Sequence, residues 1–198
     1  MKIGIFGGSF DPVHKGHIAL ARQACESGAV DLVVFMPAAN QPFKLDRCPA
    51  DGQDRINMIR AAISGIHGLE VSDYELSNPE EVSYTINTLK AMEKRYGPEH
   101  KIHFILGADS FLKIHTWMRA EELLSKYPLI VGVRPGFPKN ELETQECFLR
   151  KTYGTEIIWL HNPLLDISST AIRDGIAEQL NTVPEKVKEY ILEQGLYY

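Results

Sequence analysis

Short apolar runs rich in β-branched residues alternate along this chain with longer segments in which apolar side chains recur every three to four positions. An apolar run of about four to eight residues fits a strand buried on both faces, and the longer spacing puts one apolar stripe on a helix. The runs predict strands over Lys2–Phe6, Asp31–Pro37, Leu69–Val71, Lys101–Leu106, Leu129–Val133 and Glu156–Trp159. The helical spacing predicts Gly16–Gly28, Asp51–Ser64, Ser83–Tyr96, Ala120–Lys126, Glu141–Tyr153, Ser169–Gln179 and Pro184–Gln194. The last has Pro at its first turn and Gly195 just past its end, the expected polarity of helix signals. Alternation of this kind builds βαβ units, so the expected fold is α/β, an open parallel sheet with helices on both faces. A C-terminal helical portion from about residue 163 and a single domain over residues 1–198 complete the expectation. The long loops fall at Ala38–Ala50 and Arg134–Asn140, after strands, where sheets of this type carry their ligands.

At 198 residues the chain can bury about 70% of its unfolded surface, enough for a core with a cleft in it. Its 44% hydrophobic and 24% charged residues place it among ordinary globular domains and outside the disordered class. With 21 Lys+Arg against 26 Asp+Glu the net charge is −5, so nucleic acid is not an expected partner and any anionic ligand needs a local cluster of donors. Cys25, Cys48 and Cys147 are odd in number and far apart, which predicts neither a disulfide framework nor a cysteine zinc site and suits a reducing cytoplasm. The first apolar run, Ile3–Phe6, breaks at Gly7 and Gly8 and is too short for a signal-peptide core or a membrane span.

The chemistry begins where the first strand runs out, in Gly7-Gly8-Ser9-Phe10-Asp11-Pro12-Val13-His14-Lys15-Gly16-His17. Glycines let backbone approach a phosphate closely, and a helix start offers unpaired N–H groups with partial positive charge. His14 and His17, three apart, fall on one helix face and can donate toward the same anion. The stretch is neither a Walker loop nor a dinucleotide fingerprint, because the chain holds no Gly-Lys pair and no G-x-G-x-x-G. Asp11 stands where a nucleophile elbow needs glycine, so Ser9 is a poor nucleophile. By residue type alone, a tight turn with two polar helix-start histidines fits as well as a polyphosphate cradle. A second cluster, Ile167-Ser168-Ser169-Thr170-Ala171-Ile172-Arg173, puts three hydroxyls at a helix start and a guanidinium one turn inside. Alone it reads either as an anion site or as an ordinary N-cap beside a surface arginine.

Taken together and in this order, His14-Lys15-Gly16-His17 and Ser168 to Arg173 resemble the nucleotidyltransferase superfamily marked by an H-x-G-H loop and a C-terminal S-S-T-x-I-R. Val82-Ser83-Tyr84-Thr85-Ile86-Asn87-Thr88-Leu89, Phe104-Ile105-Leu106-Gly107-Ala108-Asp109-Ser110, Thr116-Trp117 and Val133-Arg134-Pro135-Gly136-Phe137 follow the order and spacing of bacterial nicotinate-nucleotide adenylyltransferases, as does the ending Ile191–Tyr197. The likeness runs the full length. It departs at Asn78-Pro79-Glu80-Glu81, where relatives often place an arginine.

The resemblance implies a Rossmann-like fold and transfer of AMP from ATP to nicotinate mononucleotide, giving nicotinate adenine dinucleotide and pyrophosphate in NAD biosynthesis. His14, His17, Lys44 and Arg173 are implied as the catalytic set. Gly7, Gly8, Ser9, Phe10, Gly107, Asp109, Ile167, Ser168, Ser169 and Thr170 are implied to join His14, His17 and Arg173 in holding ATP. Lys44, Arg55, Tyr84, Thr85, Trp117, Met118 and Arg134 are implied for the mononucleotide. By residue type alone, Lys44 and Arg55 also suit exposed cations, Asp109 a helix cap and Trp117 a core residue. Mg²⁺ is expected to arrive with ATP, held by phosphate oxygens and water, with no metal ligands from the protein. The expected partners are the two small molecules, with no membrane and with a homo-oligomer left open.

Three other readings stay in play. A metal-dependent hydrolase would need His14, His17, His103, His115 and His161 to converge with Asp11 or Asp166, and the sequence has no H-E-x-x-H. A non-catalytic nucleotide sensor would keep the cradle but lose a histidine at the reacting phosphate. Within the enzyme class, nicotinamide mononucleotide is the competing acceptor, differing by an amide for a carboxylate.

Overall fold

The computed structural model describes residues 1–39, 50–78, 83–133, 138–160 and 167–198. Six strands, β1 (Lys2–Gly8), β2 (Leu32–Pro37), β3 (Leu69–Val71), β4 (Lys101–Gly107), β5 (Leu129–Gly132) and β6 (Ile157–Leu160), form one sheet in the order β3-β2-β1-β4-β5-β6. Every neighbouring pair is parallel, with Phe6 opposite Phe35 on one side and Ile105 on the other. From β1 the chain winds outward through β2 and β3, then returns to lay β4 against the other edge of β1. The strand order therefore reverses between β1 and β4, and a crevice opens beyond their carboxyl ends, the usual ligand position of a doubly wound sheet.

Helices cover both faces: α1 (Lys15–Glu26), α2 (Gly52–Ile63), α3 (Thr85–Tyr96), α4 (Ala108–Phe111), α5 (Ala120–Lys126), α6 (Lys139–Tyr153), α7 (Ser169–Asp174), α8 (Ile176–Gln179) and α9 (Glu185–Gln194). Strand alternation divides the apolar side chains between two cores. Phe6, Val33, Phe35, Ile105 and Ile130 face α1, α2 and the C-terminal helices, while Ile3, Ile5, Val34, Met36, Phe104 and Val131 face α3, α5 and α6. Gly132 ends β5 without a side chain because a Cβ there would lie 2.7 Å from the Leu20 methyls of α1.

The predicted strands and helices all recur among these elements, shifted by one or two residues at most ends. One prediction is corrected: Ser169–Gln179 is not one helix but α7 and α8, separated at Gly175, whose φ of −142° and ψ of 49° leave the helical region. The short α4 was not predicted, because a single turn carries no periodic signal. The C-terminal portion packs on α2, where the Tyr190 hydroxyl of α9 donates to Asp54 at 2.8 Å and accepts from Asn57 at 3.0 Å. Among the described residues no helix is long and apolar enough to cross a membrane.

Candidate active site

A cleft of about 950 Å³ opens at the carboxyl ends of β1 and β4. The end of β1 contributes Gly7, Gly8 and Ser9, and the start of α1 contributes His14, Gly16 and His17. His14 is the N-cap of α1, with extended backbone at φ −135°. Its ring Nδ1 accepts the His17 backbone N–H at 3.4 Å, and the His17 Nδ1 accepts the His14 backbone N–H at 3.3 Å. A capping box usually built from Ser and Glu is thus built from two histidines, whose rings stack with centroids 3.6 Å apart. An Nδ1 that accepts a backbone N–H carries no proton, so each neutral ring holds its proton on Nε2, as a donor.

Across the cleft the start of α7 brings Ile167, Ser168, Ser169 and Thr170 to the same walls. The Ser168 hydroxyl accepts the Ala171 N–H at 3.1 Å and so caps the helix. Ser169 Oγ donates to the Pro12 carbonyl at 2.9 Å, which stitches this segment directly onto the loop between β1 and α1. The two motifs, more than 150 positions apart in the chain, meet edge to edge.

Gly107 and Asp109 line the floor after β4. A Cβ on Gly107 would meet Asp109 Oδ1 at 2.9 Å, so glycine is what lets that carboxylate fold over the strand end. Tyr84, Thr85, Trp117 and Met118 line the far end of the cleft. Tyr84 is the N-cap of α3, and its side chain does not cap the first amides of that helix. Trp117 packs edge-on to Phe104 with centroids 6.0 Å apart, and Met118 is exposed.

Three of the expected residues do not line the cleft in this structure. Phe10 holds a left-handed φ of 48° and is buried, its ring against Phe6, Phe35 and His17, so its side chain anchors the loop from beneath and does not line the cleft. Arg55 is 3% exposed, and its guanidinium donates to the carbonyls of Ser9 (2.9 Å), Ala38 (2.9 Å) and Ala50 (3.1 Å). Burial lowers its pKa, opposed by the charge of Asp11, and its Nε and Nη1 donors hold backbone carbonyls as a strut under three loops. Arg173 turns toward Asp11, donating to its carbonyl, with Nη1 3.7 Å from Oδ2 and Nη2 3.4 Å from Thr170 Oγ1. Lys44, Arg134, His161 and Asp166 lie outside the described residues, as do residues 79–81 of the departing stretch.

The cleft also holds residues that sequence reading missed. Glu75 lines it, accepting from Thr88 Oγ1 at 2.6 Å, and burial raises its carboxyl above the ordinary range against that hydrogen bond. Nothing in Asp73-Tyr74-Glu75-Leu76 marks it, since no motif or period includes it. Arg119 lines the cleft with a left-handed φ of 55° and pairs with Glu122. Its position two residues after Trp117 was the available signal.

Among the described residues no three His, Cys, Asp or Glu side chains are grouped to hold a metal ion. His103 is buried on β4 against the Lys101 carbonyl, with burial depressing its pKa, and His115 faces Gln145 and Phe148. These histidines belong to separate surroundings.

A crevice at the switch point of a parallel sheet, with an H-x-G-H helix start on one wall and an S-S-T-x-I-R helix start on the other, is a nucleotidyltransferase site. Residues 5–175 match the cytidylyltransferase-like family. A Clostridium tetani protein named as a probable nicotinate-nucleotide adenylyltransferase is 38% identical over 99% of this chain and 98% of its own length. One of the same name from Desulfitobacterium hafniense is 39% identical over 99% of this chain and 95% of its own. The chain belongs to the nicotinate-nucleotide adenylyltransferase family within that class. Its fold is also that of the Plasmodium falciparum nicotinic acid mononucleotide adenylyltransferase complexed with NaAD, at a TM-score of 0.79 and 21% identity over 99% of this chain and 97% of that one.

Proposed function

We propose that this protein transfers the AMP moiety of ATP to nicotinate mononucleotide, releasing pyrophosphate and forming nicotinate adenine dinucleotide, and that the whole chain acts as one domain. The observation that carries the reading is the junction of the two phosphate-binding segments, closed by the 2.9 Å bond from Ser169 Oγ to the Pro12 carbonyl.

The nucleophile is the phosphate of the mononucleotide, already ionised at neutral pH, so the site needs no general base. Its work is to hold two anions in line and to place donors on the oxygens of the reacting phosphorus and the departing pyrophosphate. His14 and His17 offer Nε2–H donors, the glycine-rich end of β1 lets the backbone approach, and Ser168, Ser169 and Thr170 take the far end of the triphosphate. Asp109 accepts from ribose hydroxyls. Trp117 supplies a face for the pyridine ring, and the first amides of α3, after Tyr84, read its carboxylate, which a neutral amide cannot satisfy equally. Lys44 and Arg134 remain proposed cations of the mononucleotide side, with Arg119 added to them.

The cleft walls are rich in N–H and O–H donors, which suit phosphate oxygens. Mg²⁺ therefore fits here as part of MgATP, held by phosphate and water, where it supplies charge neutralisation. A cytoplasmic setting follows for a protein whose substrates are ATP and a nucleotide.

The test is pyrophosphate release with MgATP and either nicotinate or nicotinamide mononucleotide, with His17→Ala as control. Release with the nicotinate compound, weak release with the amide and collapse in the variant support the reaction and the acid-reading site. Equal release with both acceptors defeats the carboxylate assignment, and no release with either defeats the reaction.

A further inference from the structure

Asp11 ties three distant segments of the chain to its own loop. It lies in the phosphate loop, 3% exposed, and its Oδ1 accepts both the Ala50 backbone N–H at 3.1 Å and the Tyr197 hydroxyl at 2.6 Å. Its carbonyl accepts from the Arg173 guanidinium, and its Oδ2 lies 3.7 Å from the same group. Two further ties fall beside it: Ser169 Oγ to the Pro12 carbonyl, and Lys15 Nζ to the Asn181 carbonyl at 2.7 Å. These four tethers to the C-terminal segments thus land between Asp11 and Lys15, on the run that carries His14.

Tyr197 is the last of these tethers. After the left-handed Gly195 that ends α9, Tyr197 itself adopts φ 69°, an uncommon conformation for an aromatic residue. Such a backbone persists where its surroundings enforce it, and here the reversal carries the phenol inward to Asp11. Burial and the negative charge of Asp11 push the phenol pKa up, so the hydroxyl stays protonated and remains a donor at every physiological pH.

From this convergence we infer that Tyr197 is a positioning residue for the ATP phosphates, its hydroxyl fixing Asp11 and thereby setting the phosphate loop and Ala50 against α7. Tyr197 touches no substrate itself. It acts on the donors that do, and a slip of about an ångström in such donors can cost up to a hundredfold in rate. The inference rests on the AMP-transfer reading above.

Tyr190 is the internal control, since its hydroxyl also donates to a carboxylate, Asp54, from the same C-terminal portion but onto α2, away from the phosphate loop. In steady-state pyrophosphate release, Tyr197→Phe is expected to lower kcat/KM for MgATP about tenfold and to leave KM for nicotinate mononucleotide unchanged. Tyr190→Phe is expected to match the parent enzyme in both, even with a lower Tm. Parent-like ATP kinetics in Tyr197→Phe, an equal loss in both variants, or an equal loss toward both substrates overturns the inference.

A second measurement uses the unaltered protein and stands if Tyr197→Phe fails to fold. Because coupling between two sites is reciprocal, a non-hydrolysable ATP analogue should slow amide hydrogen exchange at residues 196–198. Unchanged exchange in the tail, with the phosphate loop protected, overturns the latch. An unaltered enzyme that binds the analogue yet releases no pyrophosphate overturns the AMP-transfer reading instead, so the two failures are distinct.

Discussion

His14 and His17 cap one another: each ring's Nδ1 accepts the other residue's backbone N–H, and the rings lie 3.6 Å apart. One end of each imidazole builds the helix start, and the other is the end that carries the proton.

The two ends separate by substitution. In His14→Asn the amide oxygen takes the place of Nδ1 and keeps the cap, but the Nε2–H donor is gone. Stability by urea unfolding should stay within about 0.5 kcal/mol of the parent, while the rate falls about a hundredfold, the scale of one lost donor at a reacting oxyanion. His14→Ala should show the same rate loss and a further cost of about 1 kcal/mol in stability for the missing cap. Parent-like turnover in His14→Asn would show that the ring's outer nitrogen contributes nothing to the reaction.

Arg55 presents a different case, a buried cation whose hydrogen bonds among the described residues go to backbone carbonyls. Removing it in Arg55→Met leaves those carbonyls without their donor and should cost about 3 kcal/mol or more of stability. Arg55→Lys should recover only part of this, because an ammonium lacks the planar fork that reaches Ser9, Ala38 and Ala50 together. Urea midpoints for the two variants decide it. A lysine variant as stable as the parent would mean that charge alone matters.

Glu75 gives a pH signature. Burial raises its folded-state pKa above the unfolded value, so the folded protein binds this proton more tightly. Stability from this group is then present at low pH and is lost as pH rises from the unfolded pKa through the folded one. Glu75→Gln keeps an acceptor for the Thr88 hydroxyl without the charge. Its stability relative to the parent should increase between pH 4 and pH 8, measured as the difference in urea midpoints. Parallel curves across that range would remove the desolvated carboxyl from the explanation.

Trp117 is half-buried against Phe104 and lines the cleft beside Met118. Trp117→Ala should raise KM for nicotinate mononucleotide about tenfold, the worth of one aromatic stacking contact, with KM for ATP little changed. A shift confined to ATP would place the adenine, and not the pyridine ring, at this end of the cleft.

Period alone determined the alternation of strands and helices and the two-faced sheet, and residue type marked two segments as candidate anion sites that only their resemblance to a family favoured over plain turns and caps. These are local properties: a strand buried on both faces is apolar throughout, an exposed helix shows one stripe, and a glycine-rich turn before a helix start makes the same offer to an anion wherever it occurs. The tertiary structure decided how side chains were used. Phe10 and Arg55 stand in or beside the loops that were expected to bind substrate, yet one turns into the core and the other props three carbonyls, because packing decides which way a loop residue faces. Glu75 reached the cleft from a segment without any pattern and Arg119 from just beyond the Thr116-Trp117 motif, and Asp11 became a junction only when Ala50, Arg173 and Tyr197 closed on it. Contacts across more than 100 positions leave no period in a single sequence, because they depend on where the sheet sets the ends of its strands.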